Sequence, residues 1–169
     1  METQKPSIKP IAYTYGLYLA LVSIIILVIM YVANLQQSWI LSAVSSLASI
    51  VVLVYGIKTY KHQNAGFLTV GEAIKVGLAI AVIGGILAAI YAYLHYAYIY
   101  PEFIDMARDK AYLDISEQNP NMSEEQISKT MEISNIFMTP MFFSLTTVIG
   151  SLLFGLVVSV IAGLVMKKD

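Results

Sequence analysis

The stretch that decides the fold is Met141–Met166, MFFSLTTVIGSLLFGLVVSVIAGLVM, which has no charged side chain. Crossing a hydrocarbon core of about 30 Å takes roughly 20 helical residues. Lipid cannot satisfy an open backbone, so a run of this kind has to be a helix. Three more runs meet the same test. Residues 11–33 and 39–57 are uncharged, and residues 73–99 carry only Lys75. The fold class predicted is therefore all-α integral membrane, with four transmembrane helices in a single domain covering residues 1–169. The third span is long enough to tilt or protrude. The first is too long for the apolar core of a signal peptide, and Tyr31-Val32-Ala33 is a poor cleavage site.

The whole-chain composition fits this division. The 169 residues are 58% hydrophobic and 12% charged, against roughly 25% charged in soluble domains. The four runs hold 95 residues and one charge, whereas 20 of the other 74 residues are charged. An ordinary cytosolic enzyme is excluded. The net charge of −1 leaves no basic footprint for nucleic acid. With no cysteine, disulfides, zinc–thiolate sites, iron–sulfur clusters and thiol catalysis are excluded as well.

Orientation follows from Lys and Arg in the flanks. Lys5, Lys9, Lys58, Lys61, Lys75, Lys167 and Lys168 fall on one side, while Arg108, Lys110 and Lys129 fall on the other. Both termini are expected in the cytoplasm of a bacterial inner membrane. The short connection Asn34–Ser38 makes the first two spans a tight hairpin. Residues 101–140, which hold eight of the eleven acids, become an extracytoplasmic helical segment.

That segment has its own punctuation. Ser123-Glu124-Glu125-Gln126 has capping-box spacing, with glutamates suited to the positive helix end, and predicts a helix to about Met138. Ile127, Met131, Ser134 and Met138 share one face of it, with Phe137 beside them. This stripe suits a membrane surface or a partner helix. Thr139-Pro140 stops that helix and starts the last span. Glu102–Leu113 predicts another helix, with the turn at Ser116–Asn121. A helical hairpin on the outer membrane face is expected, with a disordered loop as the alternative.

Within the spans, small residues recur four apart, the spacing that lets membrane helices approach closely. Gly77, Ala81 and Gly85 line the third span, and Ser151, Gly155, Ser159 and Gly163 line the fourth. The first has Ala12, Gly16 and Ala20. Internal packing and homo-oligomerisation both use such stripes. Tyr91, Tyr93, Tyr96, Tyr98 and Tyr100 crowd the end of the third span, as an interfacial belt or an aromatic box for a ligand.

The most distinctive polar string is Gly66 to Gly77. Thr69 and Glu72 have capping-box spacing, and Glu72 and Lys75 are close enough on one helix face to pair. They read as a cap with a lysine anchored at the headgroups, or as a polar entrance for a proton or small solute. His62 and His95 fall on opposite sides and cannot share a metal. No hydrolase, zinc-protease or phosphate-loop motif is present, and no nucleophile, base or metal converge. No enzymatic activity and no cofactor are expected.

Gly56-Ile57-Lys58-Thr59-Tyr60, Gly66 to Gly77, Pro101-Glu102-Phe103, Met122 to Ile127, Phe137-Met138-Thr139-Pro140, Gly150 to Leu156, and Lys167-Lys168 form a set of strings along the chain. Together they resemble the bacterial membrane-protein family called domain of unknown function 4199, common in the Bacteroidota. The resemblance covers almost the whole chain. It implies a four-helix inner-membrane protein, and it brings neither an activity nor functional residues. Three roles remain open. One is a non-enzymatic accessory, assembly or interaction protein, whose partners are membrane lipids and another membrane protein or a second copy. The others are a subunit of an oligomeric carrier or channel, and a lipid-binding protein.

Overall fold

The computed structural model describes residues 5–35 and 38–168. Its helices are α1 (Ile8–Val32), α2 (Trp39–Gln63), α3 (Val70–Leu94), α4 (Glu102–Gln118), α5 (Glu124–Phe137) and α6 (Pro140–Met166), with a π-helical segment, His95–Ile99, following α3. Four of these are long and apolar enough to cross a membrane: Ile8–Val32, Trp39–Gln63, Val70–Ile99 and Pro140–Met166. The protein is an all-helical, multi-pass membrane protein in its architecture.

Helix boundaries follow local chemistry. α1 starts three residues earlier than the apolar run. Pro10 sits in its first turn, where a missing N–H has no partner to lose. α2 runs past Ile57 to Gln63 because nothing in Lys58–Gln63 breaks a helix. It stops where Ala65 and Gly66 take left-handed φ values of 51° and 85°. Gly66 meets that demand at no steric cost. Asn34, also left-handed at φ 54°, opens the connection from α1 to α2. The remainder of that turn, Gln36 and Gln37, lies outside the described residues.

Two expectations about the long connection need correction. α4 does not end near Leu113 but at Gln118, so the turn lies at Asn119–Ser123, not Ser116–Asn121. No Gly or Pro interrupts Asp114–Gln118, and Ser116 donates back to the Tyr112 carbonyl at 2.8 Å without bending the chain out of the helix. The stop comes at Asn119, whose amide and side chain both donate to the Ile115 carbonyl, just ahead of Pro120. The third span also changes character before it ends. The Tyr100 N–H reaches the His95 carbonyl at 2.7 Å, a π-type bond. Tyr100 itself leaves the helical region, with φ −139°, as the residue before Pro101 is biased to do.

The described chain divides into two compact units. One holds the residues up to Ala88 together with those from Thr147 onward, and the other is Ala89–Thr146. The first unit is a bundle of α1, α2, most of α3 and most of α6. Its core centres on Leu53, Ile57, Val76, Ile80 and Val158. α3 is the most enclosed of the four spanning helices. Side chains such as Leu17, Ile25, Leu47, Val51, Leu153 and Ile161 are exposed, as lipid-facing residues of a spanning helix are. The second unit contains the helical hairpin of α4 and α5. Arg108 of α4 ties it by donating to the Met138 carbonyl just past α5, at 3.4 Å.

Candidate functional site

The polar corner at the start of α3 is built by three donors converging on Glu72. The Thr69 amide donates to Oε2 at 2.9 Å, and the Thr69 hydroxyl donates to the same oxygen at 3.1 Å. The Glu72 amide donates to Thr69 Oγ1 at 3.2 Å. Thr69 and Glu72 are thus a reciprocal capping box. The other oxygen, Oε1, receives Lys5 Nζ at 2.8 Å. Lys75 does not pair with Glu72. It is exposed, and the carboxylate is already occupied by donors arriving from the preceding turn and from the segment before α1. The hydrogen bond and negative charge of Glu72 raise the Lys5 ammonium above its ordinary pKa of 10.5.

Neighbouring contacts close the corner. Leu68 and Lys168 exchange backbone hydrogen bonds of 3.0 and 2.9 Å in an isolated antiparallel bridge. Lys61 Nζ caps the end of α6 by donating to the Met166 carbonyl at 2.6 Å. Tyr15 and Thr59 share a hydroxyl–hydroxyl bond of 2.7 Å. Lead segment, loop and tail are therefore stitched together at one end of the bundle. Lys5 and the Leu68–Lys168 bridge had no signal in the sequence, since both link elements far apart in the chain.

The small-residue stripes meet across α3 and α6. A Cβ on Gly77 would collide with the Ser159 hydroxyl, and one on Gly155 would lie 2.6 Å from Ala81 Cβ. One on Gly85 would lie 2.9 Å from Ser151 Cβ, and one on Gly163 would meet Ala73 and Val70. The hydroxyls at this interface are satisfied by backbone, Ser151 through Ala81 O at 2.9 Å and Ser159 through Gly155 O. Gly16 of the first stripe abuts Ile83 and Gly84 of α3. Close helix approach, driven by dispersion contacts because lipid is as apolar as leucine, uses these positions inside one chain.

In the second unit the tyrosine row splits. His95, 1% exposed, packs among Tyr91, Tyr96 and Tyr100 with centroid separations of 5.7, 5.2 and 6.2 Å. Phe103 stacks on Tyr96 at 4.8 Å, and Phe143 closes on both. Tyr93 and Tyr98 are exposed. Alternate members of the row thus serve a packed aromatic cluster, and the others face outward. His62 is exposed at the end of α2 in the first unit. Among the described residues, no group of three His, Asp or Glu side chains is placed to hold a metal ion.

Neither a curated protein nor a solved structure matches the chain. A family model does, over residues 14–168. With most of α1, all of α2, α3 and α6, and the Gly66–Gly77 string inside that match, the chain belongs to the family described as a protein of unknown function, DUF4199.

Proposed function

We propose that this protein is a non-enzymatic accessory or assembly protein of the bacterial inner membrane, with both termini in the cytoplasm and residues 101–140 as its contact surface outside. The observation that carries the reading is the division of labour on α5. The predicted stripe, Ile127, Met131, Ser134 and Met138, is buried or half-buried. A second apolar set, Ile133, Ile136 and Phe137, stays 64%, 67% and 50% exposed. These three lie at i, i+3 and i+4, one continuous helix face. A capped helix that keeps such a face open is suited to a partner helix.

The test is recovery of the intact protein from its native membranes. A stable, stoichiometric membrane-protein partner is expected. Ile133→Ser, Ile136→Ser and Phe137→Ser together should lose that partner while the chain still inserts. Recovery without any stable partner, with the hairpin intact, overturns the reading.

A further inference from the structure

The helices of the first unit do not close on one another along their whole length. Around Ile57, Ile80 and Val158 they are packed tight. Nearer the Trp39 end of α2 they leave an open-sided cavity of about 220 Å³, with exposed Ser46 and Gly150 at its edge. Ser23 of α1, Ser45, Ser46 and Ser49 of α2, and Thr147 and Ser151 of α6 are among the residues that line it. Gly84 and Gly85 of α3 and Gly150 of α6 add backbone to the lining. At about 1.5 Å per residue, Ser49 lies roughly 15 Å along α2, near the middle of a core about 30 Å thick.

Hydroxyls at that depth need partners. Ser23, Ser46 and Ser151 give their hydrogens to the carbonyls of Leu19, Ser42 and Ala81, at 3.2, 2.9 and 2.9 Å. Their oxygens keep acceptor capacity. Ser45 and Ser49 make no side-chain hydrogen bond to another described residue, although Ser49 is only 8% exposed. No carboxylate, amine, imidazole or guanidinium lines the cavity. An ion entering it would be stripped of water with no opposite charge to meet. A neutral molecule carrying several O–H groups would find both donors and acceptors. The volume holds several waters at about 30 Å³ each, or one small polyol.

We infer that this cavity is a binding site for a small, uncharged, polyhydroxylated solute. The absence of cysteine makes the test direct, because Ser49→Cys places a single thiol at the site. In nanodiscs of native lipid the variant is treated with methyl methanethiosulfonate, with glycerol as the probe ligand. Thiols react as thiolates, which need polar surroundings, so Ser49→Cys should react at least about tenfold faster than Leu47→Cys. Leu47 is 64% exposed on the same helix and is the lipid-facing control. Glycerol should slow Ser49→Cys about threefold or more, in proportion to site occupancy. Sucrose at equal osmolality, too large for the cavity, should not. Ser45→Cys repeats the measurement should Ser49→Cys fail to assemble. A reaction no faster than at Leu47→Cys means that the site is dry. Equal effects of glycerol and sucrose, or none from either, mean that it holds water alone. Either result overturns the inference.

Discussion

Glu72 shows how a single side chain joins two segments. Its carboxylate caps α3 and holds Lys5 from the segment before α1. The Lys5 ammonium is raised by that partner, which fixes the sign of the pH dependence. A group with a raised folded pKa contributes its stabilisation below the unfolded value and loses it as pH climbs through the folded one. The thermal midpoint difference between wild type and Lys5→Gln should therefore hold steady through neutral pH, then shrink above pH 10.5. A difference that does not change across that range would show that Lys5 acts through something other than its charge. Gly77 is the corresponding case for packing. Its missing Cβ is the space that Ser159 fills. Gly77→Ala should destabilise by about 1–3 kcal/mol through overpacking, and Ser159→Gly in the same chain should recover most of that loss. At Gly84 no such rescue is expected, because an added Cβ would lie 2.9 Å from the Gly16 carbonyl oxygen, a backbone atom. Denaturation in mixed micelles compares all of these variants.

At the scale of the element, starts were easier to read than stops. Ser123 and Gln126 form both halves of a capping box, Ser123 N–H to Gln126 Oε1 at 2.9 Å and Gln126 N–H to Ser123 Oγ at 3.4 Å. Thr139 Oγ1 accepts from the Phe142 amide at 3.2 Å at the start of α6. Such caps are formed within four residues, so the sequence displays them. The end of α4 has no equivalent signature until Asn119, and the π-type bond at Tyr100 depends on how the backbone turns ahead of Pro101. Spacing alone pairs Lys75 with Glu72 because it reveals neighbours on one helix only, whereas Lys5 arrives from another element. The α5 cap gives a direct test. Ser123→Ala should lower helix stability by about 1 kcal/mol. Hydrogen exchange at the Gln126 and Ile127 amides should then quicken about fivefold, since 1.4 kcal/mol corresponds to tenfold. Exchange unchanged from wild type would mean that α5 is held by its contacts alone.

For the molecule as a whole, the alternation of bare and charged segments marked the spanning helices, because a bilayer imposes length and apolarity on any helix that crosses it. The cavity to which Ser and Thr residues of three helices contribute has no such trace. A serine can donate to the carbonyl one turn back, as Ser46 does, so hydroxyls scattered along a spanning helix look unremarkable one helix at a time. Only assembly brings Ser23, Ser49 and Ser151 to one space. Sidedness rests on a different kind of reasoning. Glu72 holds Lys5, and Leu68 is paired with Lys168, so the lead segment, the α2–α3 loop and the tail share one end of the bundle. Helices that cross a bilayer from that end bring all three to the same side. The seven Lys of that end against three Lys and Arg in residues 101–140 are what supports the proposed cytoplasmic placement, since cytoplasmic flanks tend to carry the excess of Lys and Arg. The absence of cysteine again provides a clean reporter. In intact spheroplasts a membrane-impermeant maleimide should label Asn119→Cys at once, and Lys168→Cys only after the membrane is opened. The opposite pattern would turn the protein over, placing the α5 face in the cytoplasm and moving the search for its partner there.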